Sequence, residues 1–149
     1  MTTNVNTNGI APETVKTAVE SALPGIFADQ RWRMVGRYKF IGEVDGVRAA
    51  VVLATRSPGY DTYALNKGDF DRLLAGKRGG KVDAAYVVIT ETNALGARTY
   101  RGDMEAERLG EMLKGVPPRD GRFGAFYTLP PSILTDGVAY PDDWFGADL

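Results

Sequence analysis

Apolar positions along this 149-residue chain change their spacing several times, and each change marks an expected element. Val15, Ala18, Val19 and Ala22 recur at helical spacing, which predicts a helix from Pro12 to about Ala22. Pro12 suits the first helical position, Glu13 the positive end of the helix dipole, and Pro24-Gly25 ends the run. From Trp32 to Glu43 the period falls to two. Met34, Gly36, Tyr38 and Phe40 alternate with Val35, Arg37, Lys39 and Ile41, as in one half-exposed strand. Asp45-Gly46 predicts a tight hairpin turn, because both central positions of the favoured turn need positive φ. Val47 to Thr55 is apolar on both faces in its middle and reads as a central strand, broken by Ser57-Pro58-Gly59.

A second helix is expected from about Gly68 to Ala75, with Asn66 or Asp69 as cap, Phe70, Leu73 and Leu74 buried, and Gly76 as the stop. "GKRGGK" (76–81) then forms an exposed loop, and Asp83 to Thr90 another strand buried on both faces. A short strand is expected at Ala97–Arg101. Asp103 is expected to cap a third helix reaching Lys114, with Met104, Leu109, Met112 and Leu113 inward, before Pro117-Pro118. The last expected strand, Arg122–Thr128, alternates Phe123, Ala125 and Tyr127 with Gly124 and Phe126. This order predicts an α/β (α+β) fold: a single domain with a mixed β-sheet of about four or five strands and about three helices covering both faces. Residues 1–10 read as a flexible Asn/Thr-rich N-terminus, 11–128 as the domain, and 129–149 as an irregular acidic tail packed on it.

Composition narrows the chemistry. The chain has no cysteine and no histidine. That removes disulfides, thiolate nucleophiles, Cys/His zinc sites and Ser-His dyads, together with the usual general base at neutral pH. The reading leans away from an enzyme, and no cofactor or metal site is expected. The longest apolar runs, "AAVVLA" and "AAYVVI", have six residues each. A membrane helix needs about 20, so no membrane association is expected. "MTTNVNTNGI" has neither the basic nor the apolar part of a secretion signal, and a cytoplasmic location is the expectation.

The net charge of −1 hides an asymmetry. Residues 31–81 hold eleven basic and five acidic groups, and residues 82–149 six basic and eleven acidic. A basic middle beside an acidic end suits an anionic partner or an internally complementary surface. Motifs add little. Tyr63 and Lys67 have the spacing of a dehydrogenase acid–base pair, but no G-x-G-x-x-G accompanies them. "AGKRGGKV" fails as a Walker loop, since Ala75 and Val82 stand where Gly and Ser/Thr belong and a strand follows. Its amides and Arg72, Lys77, Arg78 and Lys81 remain candidates for non-specific phosphate contact. Glu107 and Glu111 lie one turn apart and read as the wet face of a helix. Tyr38 and Phe40 interleave with Arg37 and Lys39, a mixture that stacks bases when exposed and is core when buried.

The helix at 12–22, the hairpin "RYKFIGEVDGVRAAVVLATR", the segment "YALNKGDFDRLLAGKRGGKV" and the strand "DAAYVVI" together resemble the core of the PD-(D/E)xK nuclease superfamily, and most its Holliday-junction-resolvase-like members. The resemblance implies a restriction-endonuclease-like sheet. It covers the middle of the chain and the first helix, and its motifs are generic for an α/β domain. The catalytic residues do not carry over. Arg37, Tyr38 and Lys39 stand near the place of the first metal-binding Asp, and Leu53, Ala54 and Thr55 fall where the E-x-K motif belongs. Asp45 is better explained as turn chemistry. The resemblance thus implies a degenerate member that kept its scaffold, with Arg56 and Lys67 as phosphate contacts.

Two functions follow as expectations. The first is a non-catalytic nucleic-acid-binding or nucleoprotein-associated protein, contacting DNA or RNA phosphates through Arg37, Lys39, Arg48, Arg56, Lys67, Arg72, Lys77, Arg78 and Lys81. The alternative is a small protein-interaction or assembly subunit of phage or accessory type. It would self-associate through the basic middle and acidic tail, with exposed Trp32, Tyr140, Trp144 and Phe145 as anchors.

Overall fold

A computed structural model describes residues 11–134. The first helix, α1 (Pro12–Ala22), has the expected bounds and buries Val15, Val19 and Ala22. The stretch expected as one strand is two. β1 (Trp32–Gly36) and β2 (Lys39–Val44) pair antiparallel around a turn at Arg37 and Tyr38. The alternation does not stop at that turn, so hydrophobicity alone left no mark of it. Met34 and Val35 are exposed, while Trp32 and Phe40 are buried. Asp45 (φ 51°) and Gly46 (φ 83°) make the expected left-handed turn into β3 (Val47–Arg56).

β3 is the axis of a seven-stranded mixed sheet. Along one edge, β5 (Ala84–Thr92) runs parallel to it from Ala49↔Ala84 to Arg56↔Glu91. β6 (Arg98–Glu105) lies antiparallel outside β5. The other edge of β3 is divided. β2 occupies Val47–Val52, whereas β4 (Tyr63–Asn66) meets it only at Thr55↔Ala64 and carries β7 (Phe126–Leu129) on its far side. The sheet therefore forks where β2 ends and β4 begins.

Helices cover both faces, as expected. α1 closes one face over Val51, Leu53, Tyr86 and Val88. α2 (Lys67–Arg78) and α3 (Ala106–Met112) close the other over Val52, Ala54, Val87 and Ile89. Asn66 caps α2, its Oδ1 accepting from the Asp69 amide at 2.8 Å. α2 continues through Gly76 to Arg78 and stops at Gly79-Gly80, so most of "GKRGG" is last turn rather than loop. Its closing Lys77 and Arg78 complement the helix dipole, which outweighs the glycine inside the helix. Asp103 does not cap a helix. β6 runs through it to Glu105 because pairing with Tyr86–Val88 satisfies that backbone first. Beneath α1, the Tyr100 hydroxyl donates to Asp103 and the Tyr86 hydroxyl to Glu20, and burial holds the Asp103 carboxyl above its ordinary range.

The last expected strand is shortened to Phe126–Leu129, and Arg122-Phe123 sit in a turn instead. Leu129 belongs to that strand rather than to the tail. A 3-10 turn follows (Pro131–Leu134), with Ile133 buried in the α2 face. The rest of the expected tail, with Tyr140, Trp144 and Phe145, lies outside the described residues. Among the described residues, no helix is long and apolar enough to cross a membrane.

Candidate functional site

The fork leaves an opening. β2 begins pairing with β3 at Lys39↔Val52, and the Leu53 amide still donates to the Tyr38 carbonyl at 2.8 Å. Two residues beyond, Thr55 already faces Ala64 of β4. Between them, on the α1 side, is a cavity of about 220 Å³ walled by Tyr38, Leu53, Thr55, Ala64, Asn66 and Phe126 and closed by the turn 121–124. That turn is fixed locally. Arg119 and Phe126 exchange two backbone hydrogen bonds (2.8 and 2.9 Å), and so do Gly121 and Gly124 (3.1 and 3.2 Å). Asn66 joins it to α2, its Nδ2 donating to the Phe123 carbonyl at 3.3 Å.

One arginine, Arg122, lines this cavity, and two more lie against its Tyr38 wall. Arg37 and Arg98 both lie over the Tyr38 ring, at 5.3 and 5.1 Å from its centroid. Arg122 lies over the Phe123 ring at 5.6 Å, and Phe123 is 79% exposed. None of the three has a carboxylate partner among the described residues. Arg98 reaches the Tyr38 ring because β6 runs outside β5 and places it opposite Thr92, on the Tyr38 side of the sheet.

The other basic candidates are placed differently. Lys39 and Arg72 share Asp69 (3.6 and 2.7 Å), and Lys67 pairs with Asp71 (2.7 Å) at the start of α2. Lys77 and Arg78 share Glu107 of α3 (3.6 and 4.0 Å). Arg48 is held by the buried Asp83 (3.4 Å) at the opposite end of β3, and Lys81 is exposed in the turn before β5. The nine therefore spread over both ends of the sheet and the length of α2, and of them only Arg37 lies against a wall of the cavity, the Tyr38 ring. Trp32 is not an exposed anchor. It is 6% exposed, and its Nε1 donates to the Ala22 carbonyl at 3.2 Å. Gly42 across the strand makes room, since a Cβ there would stand 2.6 Å from the indole.

Arg56 belongs to a second cluster, at the carboxyl ends of β3 and β5. Glu91 accepts from Arg56, accepts from the Tyr63 hydroxyl at 3.2 Å and lies 3.6 Å from Arg101. The Arg56 guanidinium also covers the Tyr63 ring at 4.7 Å. The Arg56 hydrogen bond, more than any other influence, holds the Glu91 carboxyl below its usual range, while burial pushes the Tyr63 phenol up. A carboxylate so firmly ionised is a counter-ion and a poor proton acceptor. The cleft beside it, about 560 Å³ with Ser57–Asp61 as its loop, is polar and open.

The segments aligned with the nuclease motif lie side by side, Tyr38 against Leu53 at the fork, with no carboxylate on either. Among the described residues, no group of three or more acidic side chains converges as a metal site would require. Arg98, Arg122 and Phe123 were missed from sequence. Arg98 is recruited by strand pairing across the sheet, which leaves no local signal. Arg122-Phe123 did carry one, the flanking Gly121 and Gly124, which mark a turn rather than a strand.

No family model matches this chain, and no curated protein or solved structure is significantly similar to it.

Proposed function

We propose that this protein is a non-catalytic nucleic-acid-binding protein whose contact surface is the sheet fork. The observation that carries the reading is the company kept by Arg37, Arg98 and Arg122. Six other arginines pair with carboxylates, whereas these three have none among the described residues and lie against aromatic rings, Arg122 in the cavity lining and Arg37 and Arg98 on the cavity's Tyr38 wall. Guanidinium groups beside aromatic faces are the combination that tracks phosphates while stacking bases. The strand order supports a degenerate nuclease-like scaffold. A helix, a hairpin, a basic helix and a strand parallel to the hairpin's second strand come in the order of the resemblance, with β1 added before the hairpin and β4 after it. Leu53, Ala54 and Thr55 in place of the acidic motif make the role binding rather than Mg²⁺-dependent cleavage.

The test is fluorescence anisotropy with labelled single-stranded, duplex and four-way-junction DNA at low and physiological salt, with and without Mg²⁺. Binding should weaken steeply with salt. Replacing Arg37, Arg98 and Arg122 together by Glu should abolish it, and replacing them by Ala should flatten the salt slope by about 2 for single strands. Lys77→Glu with Arg78→Glu should change it little. Absence of binding at low salt refutes the reading, and Mg²⁺-dependent cutting refutes its non-catalytic part.

One observation favours the alternative, an assembly subunit. β1 is an edge strand with Met34 and Val35 exposed on its two faces, a surface open to strand addition by another copy. Sedimentation that shifts with concentration, and is abolished by Val35→Lys, would support it.

A further inference from the structure

We infer that the fork cavity is a receptor for one unpaired nucleobase, so that the ligand class is a nucleotide presented singly or in a single strand. This inference rests on the nucleic-acid reading above and adds which part of the nucleic acid is recognised. Size is the first argument. At about 220 Å³ the cavity is below the roughly 300–1,000 Å³ that holds a drug-sized molecule, and it suits one flat ring system. Wall chemistry is the second. Leu53, Ala64 and the rings of Tyr38 and Phe126 offer apolar contact, while Thr55 and Asn66 add two polar side chains. Thr55 Oγ1 shares one hydrogen bond with Thr92 Oγ1 (2.9 Å) and keeps capacity for another. The Asn66 amide donates one of its two hydrogens to Phe123, which leaves the second for a ring acceptor.

Charge selects among flat rings. A neutral aromatic side chain or an apolar metabolite has no use for the Arg122 guanidinium in the lining and those of Arg37 and Arg98 on the Tyr38 wall. A nucleotide carries its anion one sugar away from its ring, which matches an apolar cavity with a cationic rim. In a duplex the bases are stacked and paired, so filling the cavity requires a strand already unpaired or a base swung out of the stack. Phe123, exposed beside the mouth, supplies a platform for the neighbouring base.

The experiment compares a labelled single strand with the same strand carrying abasic sites, using native protein and two variants that fill the cavity from adjoining strands, Ala64→Phe on β4 and Thr55→Leu on β3. Melting temperatures establish that each variant is folded, and two strands guard against one variant failing. The expected result is that native protein prefers the base-bearing strand by about tenfold, the size of one or two stacking contacts. The fillers should erase that preference while leaving abasic-strand binding intact. A 2-aminopurine strand should lose emission on binding native protein and not on binding the fillers. Equal affinity for base-bearing and abasic strands, still lost on Arg37→Glu with Arg98→Glu, overturns the base receptor and leaves the nucleic-acid reading standing. Mononucleotide competing as well as the strand at equal phosphate concentration assigns the cavity to a free nucleotide. Competition only by the strand assigns it to nucleic acid.

Discussion

The β2–β3 hairpin carries an arginine at each end, and the two have opposite circumstances. At the turn end, Arg48 is built into the structure. The buried Asp83 accepts its backbone amide at 2.9 Å and its guanidinium at 3.4 Å, and the Asp83 amide returns a bond to the Arg48 carbonyl at 2.8 Å. At the fork end, Arg37 follows β1 in a turn and meets an aromatic ring instead of a carboxylate. The turn end is where the sheet is continuous, from β1 across to β6, and there a buried acid fixes strand register. The fork end is where β3 changes partner, and the interrupted pairing leaves space that side chains line without filling. Basic charge in a sequence thus has two uses, and the continuity of the sheet decides between them.

The largest effect expected from breaking this contrast is at Trp32, on the continuous side. Truncating it to Ala removes a buried indole above Gly42 and the hydrogen bond to Ala22, and should cost about 3–5 kcal/mol in urea denaturation. Affinity of the folded fraction for a single strand should stay unchanged. A loss of affinity with little loss of stability would return Trp32 to the role of a contact residue.

Asp83→Ala should come next, at about 2–3 kcal/mol. The backbone amide of Arg48 loses its acceptor in a part-buried setting, which costs most of that sum. The guanidinium contributes less, because the Arg48 side chain is 48% exposed and turns to water when released. If Asp83→Ala instead raised nucleic-acid affinity by freeing Arg48, the turn end would join the contact surface and the contrast would collapse.

Much of the fold was legible in sequence, for identifiable reasons. α1 was legible because Pro12 and Pro24-Gly25 punctuate it and its apolar face is regular. The Asp45-Gly46 hairpin and the doubly buried β3 and β5 follow from turn chemistry and from continuous apolar runs. What was not legible depends on partners distant in sequence. β4 is four residues long and holds its place through β7. β6 extends through Asp103 because β5 offers it a ladder. The candidate site belongs to this second category. Tyr38, Arg98 and Phe123 meet only because three separate strand pairings carry them there, and a charge count over a window selects mostly residues already paired with carboxylates.

The smallest effect expected is at Glu91, and it sharpens the comparison most, since it tests whether pairing is what silences an arginine. Glu91→Gln should release Arg56 and Arg101 while keeping the Tyr63 contact. Side-chain exposures of 25, 33 and 50% for Arg56, Glu91 and Arg101 put this cluster near the surface, where such pairs contribute about 1 kcal/mol or less. The pH dependence has a definite sign. The folded-state carboxyl lies below its ordinary value of 4.5, so its stabilisation is fully present above that value. It is lost as pH falls through the depressed folded-state value. The variant should match native stability at the acidic end of that window and fall slightly below it at pH 7. Affinity for a single strand should move the other way. Two released guanidiniums and one negative charge fewer at the far side of β3 should strengthen binding about threefold at low salt and leave it unchanged at high salt. Unchanged affinity at low salt would mean that the two arginines lie beyond the path of the strand, which would confine the contact surface to the Tyr38 side of the sheet.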